Sequence, residues 1–210
     1  SVSTSFGSFG AAASSTFYRL VFAAAKHHPS EAYSAAPHVL VACARSLLSD
    51  CVHKSARAVQ ELALARAEAA VASDEDGAGG GAASAEDKQS SPRVASAQAR
   101  VRAAADEVGR WVEVGESCAR LYVQLADPRH RDAFRRYTAY ALADYVGLME
   151  RNAVSPPLRA ALLPGLHALL DGASPHEMQQ LHAVLGAGGK ALLKAAHEEF
   201  ARDHKYAGKA

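Results

Sequence analysis

Apolar residues recur every three or four positions along most of this chain, the spacing that places them on one face of an α-helix. The spacing predicts helices over about 16–28, 37–72, 95–126, 129–152, 156–171, 175–185 and 190–200. Strand signals are absent from the pattern. We therefore predict an all-α fold, either an irregular α-solenoid or a helical bundle of antiparallel helices, with one long disordered loop.

Helix start and stop signals support this division most clearly near the C-terminus. Ser155 precedes Pro156, which suits the first helical position, and the run Ser174-Pro175-His176-Glu177 has the pattern of a capping box. Pro164 lies inside the helix that follows Ser155, so a kink or a break is expected near Leu163.

Two segments lack helical periodicity and set the expected domain organisation. Residues 1–15 are mostly Ser, Gly and Ala and are predicted to be a flexible connector. Residues 73–93 are acidic and rich in Gly and Ser, which predicts a flexible loop. The remainder, 16–210, is predicted to be a single all-helical C-terminal domain interrupted by that loop. Because the chain begins with Ser1 instead of Met, we expect it to be a segment of a longer protein.

Composition narrows the possible functions. Hydrophobic residues make up 49% of the chain but aromatic residues only 7%, and the abundant alanine favours closely packed helices. A formal net charge of +1 argues against a protein that grips nucleic acid with its overall field. The three cysteines form no CxxC pair, as expected in a reducing intracellular compartment. No apolar run is long enough for a membrane span, so no membrane partner is predicted.

Catalytic and metal-binding motifs are not recognisable. His176 and His197 are each followed by Glu, but neither begins the HExxH pattern that places two imidazoles around zinc. The run from Gly186 to Lys190 lacks the first glycine and the Ser or Thr of a phosphate-binding loop. We therefore predict a protein without catalytic residues, metal, cofactor or small-molecule substrate. A helical hydrolase that uses His and Glu is the enzymatic alternative, and it predicts a bound metal or a deep pocket.

Two local basic clusters are the candidate contacts with partners or RNA. Arginine binds phosphate with two parallel hydrogen bonds, and an exposed tyrosine can stack on an unpaired base. The alternative is that these residues are solvated helix ends paired with Asp132 and Asp203. The first cluster contains Arg129, Arg131, Arg135 and Arg136, and the second contains Arg202, Lys205, Tyr206 and Lys209.

Three stretches of the C-terminal half resemble a known family. They are CARLYVQLADP at 118–128, YTAYALADYV at 137–146 and the run from Ser155 to Phe200 that contains LLPGLHALLD. They are similar to the C-terminal domain of the family of the second "unhealthy ribosome biogenesis" protein, also called nucleolar pre-ribosomal-associated protein two. The resemblance extends from about Trp111 to Lys209.

The resemblance implies a non-catalytic ribosome assembly factor of the nucleolus. Such a factor acts in early maturation of the large ribosomal subunit and promotes processing of the precursor rRNA. Its implied partners are other pre-ribosomal assembly factors, in a complex that includes an RNA helicase, together with pre-rRNA as a candidate contact. Two alternatives stay open: a generic helical-repeat interaction scaffold of another pathway, and a direct RNA-binding helical module.

Overall fold

The computed structural model describes residues 10–29, 31–78 and 92–207, and the regular structure within these ranges is helical throughout. The all-α prediction is confirmed. The seven α-helices are α1 (Ala11–His27), α2 (Pro37–Ala78), α3 (Pro92–Leu125), α4 (Arg131–Arg151), α5 (Pro156–Gly172), α6 (Pro175–Val184) and α7 (Ala187–Ala207). A π-helical turn, Glu31–Ala35, precedes α2, and a 3-10 turn, Pro128–His130, precedes α4.

The first helix begins earlier than its sequence pattern predicts. α1 includes Ala11 to Ser15, which were assigned to a flexible connector, and the side chains of Ala11 and Ser14 are buried. Three of these five residues are alanine, the strongest helix former, and packing against the remainder of the protein orders the segment. The predicted connector can therefore extend no further than residue 10, and residues 1–9 lie outside the described ranges.

Helices α2 and α3 form an antiparallel coiled coil, in which α2 ends later and α3 begins earlier than the sequence pattern predicts. Buried and half-buried residues follow a seven-residue repeat, at positions 55, 58, 62, 65, 69 and 72 of α2 and at 94, 97, 101, 104, 108 and 111 of α3. Arg100 pairs with Glu68 and Arg93 pairs with Glu75, so a step of seven residues along one helix matches seven residues back along the other. This geometry is that of a coiled coil whose flanking charges match.

The same coiled coil corrects the limits of the predicted loop at 73–93. α2 continues to Ala78 and α3 begins at Pro92, and the guanidinium of Arg93 lies 2.5 Å from the carboxylate of Glu75. A tertiary contact between the two helices therefore supports helical structure in a segment where the local sequence no longer shows apolar residues at helical spacing. The remainder of the predicted loop, 79–91, lies outside the described residues.

The base of the hairpin joins the main core. α5 packs on α3, α1 lies against α3 and α2, and α4 covers α2 and α5. The largest fully buried side chains come from these helices, among them Leu48, Leu121, Leu125, Leu142, Tyr145, Leu158 and Leu162. The two last helices, α6 and α7, both pack against α4.

Pro164 does not break α5, contrary to one of the two expected outcomes. The helix extends from Pro156 to Gly172 with Pro164 inside it. Proline removes the hydrogen bond to the carbonyl of Ala160, and both residues are exposed, so water can reach that carbonyl. On the buried side, the Tyr145 hydroxyl donates a 2.5 Å hydrogen bond to the Leu162 carbonyl.

Candidate functional site

The first basic cluster surrounds the turn between α3 and α4. Asp127 accepts hydrogen bonds from the backbone N–H of Arg129 at 2.9 Å and from its guanidinium at 2.7 Å. These bonds to Arg129 lower the pKa of Asp127 to about 2. The Asp127 carboxylate also raises the pKa of Arg129. The Arg129 guanidinium therefore binds Asp127 within the same turn, and not Asp132, the partner that the sequence suggested.

An aromatic contact holds this turn against the π-helical turn before α2 and the end of α3. The Tyr33 ring stacks on the His130 ring at a centroid distance of 4.3 Å, and its hydroxyl donates a 2.9 Å hydrogen bond to the Gln124 carbonyl. Burial raises the pKa of Tyr33 to about 12, so its hydroxyl remains a donor across the neutral range. The π-helical turn and the end of α3 therefore hold the start of α4 in place.

Arg135 and Arg136 are both exposed on the first turns of α4. They line a shallow groove of about 430 Å³ between the start of α4 and the start of α6, together with Asp132, Ser174, His176 and Glu177. Glu177 uses a carboxylate oxygen to accept a 2.7 Å hydrogen bond from the Ser174 backbone N–H, within the predicted capping box. The two guanidiniums thus share their groove with two carboxylates, one of which is committed to a helix cap.

Tyr140 extends the exposed side of α4 by one further turn, and it is not among the contacts predicted from the sequence. Its side chain is 71% exposed. The Arg136 guanidinium lies 6.0 Å from the Tyr137 ring centre, and the next outward residue along the helix is Tyr140. The signal was present, because Tyr140 does not fit the inward row that includes Phe134, Ala141 and Tyr145.

The second basic cluster is described only in part. Arg202 is exposed on α7. The side chains of Lys205 and Tyr206 lie outside the described part of the chain, as does Lys209. The side chain of Arg131, in the first cluster, is likewise not described. Lys194 of α7 and Met178 of α6 line one groove.

Nearly all of the chain, and not only its C-terminal half, matches one family. The model of the Urb2/Npa2 family matches residues 6–209. This chain belongs to the Urb2/Npa2 family. The match includes α1 and the α2–α3 hairpin, which the resemblance from Trp111 to Lys209 did not reach. No curated protein and no solved structure matches the chain.

Membership of the Urb2/Npa2 family gives the chain a role in ribosome biogenesis. The family is one of assembly factors and is not known as an enzyme family. Within residues 10–29, 31–78 and 92–207, no three His, Cys, Asp or Glu side chains are grouped to hold a metal ion. Over the same ranges, each helix is too short or too polar to cross a bilayer.

The cysteines of this family member pack inside the helical core. Cys51 and Cys118 are buried where α2 meets α3, and the Cys51 thiol donates a 3.5 Å hydrogen bond to the Trp111 carbonyl. The contact with Cys51 and burial both raise the pKa of Cys118. Desolvation likewise raises the pKa of Cys43. Protonated thiols are poor nucleophiles, so these side chains act as small apolar packing groups.

Proposed function

We propose that this chain is a protein-docking module of a nucleolar factor that acts in early pre-ribosomes during processing of large-subunit pre-rRNA. The family supports the pathway. The observation that supports docking is the exposed side of α4, where Arg135, Arg136 and Tyr140 stand on a helix anchored by buried neighbours on its other side. Arginine and tyrosine are the residues that most often dominate the energy of protein interfaces.

The charge around α4 favours a protein partner over RNA. Asp132 and Glu177 share the groove with Arg135 and Arg136, and Asp144 lies on the same helix, paired with Arg45 at 3.0 Å. RNA is a polyanion and binds most tightly to a surface that is positively charged throughout, and these carboxylates would repel it. A protein surface with both signs of charge can satisfy the arginines and the carboxylates together.

The proposed partners are other pre-ribosomal assembly factors, including the complex that contains an RNA helicase. The experiment replaces both arginines, Arg135→Glu and Arg136→Glu, in the intact protein and measures its co-purification with early pre-ribosomal particles. We expect a loss of at least about tenfold, because reversal converts two attractive contacts into repulsive ones. The matched control is Arg159→Glu, an exposed arginine near the start of α5.

Co-purification of the double variant at the wild-type level would contradict the assignment of this surface. The salt dependence of binding distinguishes this proposal from the RNA-binding alternative. A module that neutralises six or more phosphates loses about a thousandfold or more in RNA affinity between 50 and 200 mM salt. We expect capture of the particles through this surface to vary far less over that interval.

A further inference from the structure

A second groove lies away from the arginines, between the last two helices. It has a volume of about 610 Å³ and is lined by Met178, His182, Lys190, Ala191, Leu193, Lys194, His197 and Glu198. α6 and α7 follow one another along the chain, yet each makes its main contacts with helices of the core. The space between them is therefore not closed by their own side chains.

The groove has an apolar floor and a basic rim. Leu193 is only 1% exposed and forms the floor, with Met178 half-buried beside it. Lys190 and Lys194 stand at the rim, and Lys194 has a side chain that is 77% exposed. Among the described residues that line the groove, Glu198 is the one acidic residue, and its carboxylate lies 3.9 Å from the Lys194 ammonium. Two ammonium groups against one carboxylate leave a net positive rim.

We propose that this groove docks a short acidic amphipathic helix of a partner protein. The walls are helices, whose backbone hydrogen bonds are satisfied internally, so they offer no edge to which an extended peptide could add. An occupant must satisfy its own backbone groups, and an α-helix does so. Its apolar face covers Leu193 and Met178, and its carboxylates face Lys190 and Lys194.

The lining residues set the length of the occupant and favour a peptide over RNA. Those of α7 run from Lys190 to Glu198, a rise of about 12 Å, which corresponds to a helix of about two turns. Single-stranded RNA binds proteins by stacking its bases on aromatic side chains. Among the described residues that line this groove, none is Phe, Tyr or Trp.

The test is a selection of 12-residue peptides from a random display library on the whole 210-residue chain. We expect enriched peptides to carry Leu, Met or Phe at helical spacing, with Asp or Glu beside them. Ala191→Trp, which fills the groove from an exposed position, should weaken the selected peptides by about tenfold or more. Ala183→Trp, exposed on α6 outside the groove, is the matched control and should bind them as the wild type does.

A charge-swapped variant gives a second readout. Lys190→Glu with Lys194→Glu should move the selected peptides from acidic to basic while the helical circular dichroism stays unchanged. Absence of an acidic excess among the wild-type peptides, or equal binding to the Ala191→Trp variant, would overturn the proposal. Arg135 and Arg136 lie outside this groove. Either result is therefore independent of the co-purification experiment that tests the particle-binding role of α4.

Discussion

At the scale of single residues, one glycine decides how closely α5 lies on the hairpin. A Cβ at position 165 would lie 2.9 Å from the Cα of Ala119, a backbone atom that cannot rotate away. A Cβ at position 115 would come closest to the end of the Leu158 side chain, which is not a backbone atom. Gly165, which follows Pro164 in the LLPGLHALLD stretch of the family resemblance, is therefore needed for the approach of α5 to α3.

We expect Gly165→Ala to lower the free energy of unfolding by about 1–3 kcal/mol, because the added methyl group forces two packed helices apart. Gly109→Ala is the matched control. Position 109 lies on the exposed side of α3 with nothing within 4 Å, so alanine should stabilise by about 0.5–1 kcal/mol through its helix propensity. Denaturant unfolding of both variants measures the difference, and a Gly165→Ala variant as stable as the wild type would show that the helices do not approach this closely.

The pairing of Asp127 at the turn before α4 could not be predicted from the sequence. The sequence pattern shows four arginines near one helix start, with Asp132 as their candidate partner. In the structure Asp127, two residues before Arg129, takes that guanidinium. The pairing depends on the 3-10 turn at Pro128–His130, whose geometry the local pattern does not specify.

At the scale of helices, boundaries with local causes were predictable and boundaries with tertiary causes were not. The capping box at Ser174 is present, with the Glu177 backbone N–H donating to the Ser174 hydroxyl at 3.3 Å. Beyond Ala72, Glu75 of α2 forms a cross-helix ion pair with Arg93, a contact that no single stretch of sequence reveals. The early start of α1 has the same kind of cause, since Ala11 is held by burial.

Two serines at helix starts give an expected contrast. Ser174→Ala should lower the free energy of unfolding by about 1 kcal/mol, because it removes one half of the capping box. Ser155 also precedes a helix, but its hydroxyl is buried and makes no hydrogen bond within the described residues. Ser155→Ala should therefore be neutral or slightly stabilising. Thermal unfolding of the two variants measures this, and an equal loss in both would contradict the capping geometry.

At the scale of the whole molecule, a long hairpin and a compact helical base divide the chain. α2 has 42 residues, which corresponds to about 63 Å of helix, and its distal half packs on α3 through alanines at the core positions of the heptad. The helical class could be predicted from the sequence, because abundant alanine and apolar residues at every third or fourth position both favour helices. The contact between α4 and α6 brings Arg135 and Arg136 close to the carboxylate of Glu177. It depends on the packing of helices about 40 residues apart in sequence, so the local sequence pattern could not predict it.

The direct test of the docking role is site-specific photo-crosslinking from Tyr140 in purified early pre-ribosomal particles. A benzoylphenylalanine placed at position 140 keeps an aromatic ring on the exposed side of α4, and the same probe at position 159 on α5 is the control. The account predicts a crosslink from position 140 to a protein assembly factor and none from position 159. Crosslinks from position 140 only to RNA, or no crosslink from it, would contradict the proposal that this side of α4 is a protein-docking surface.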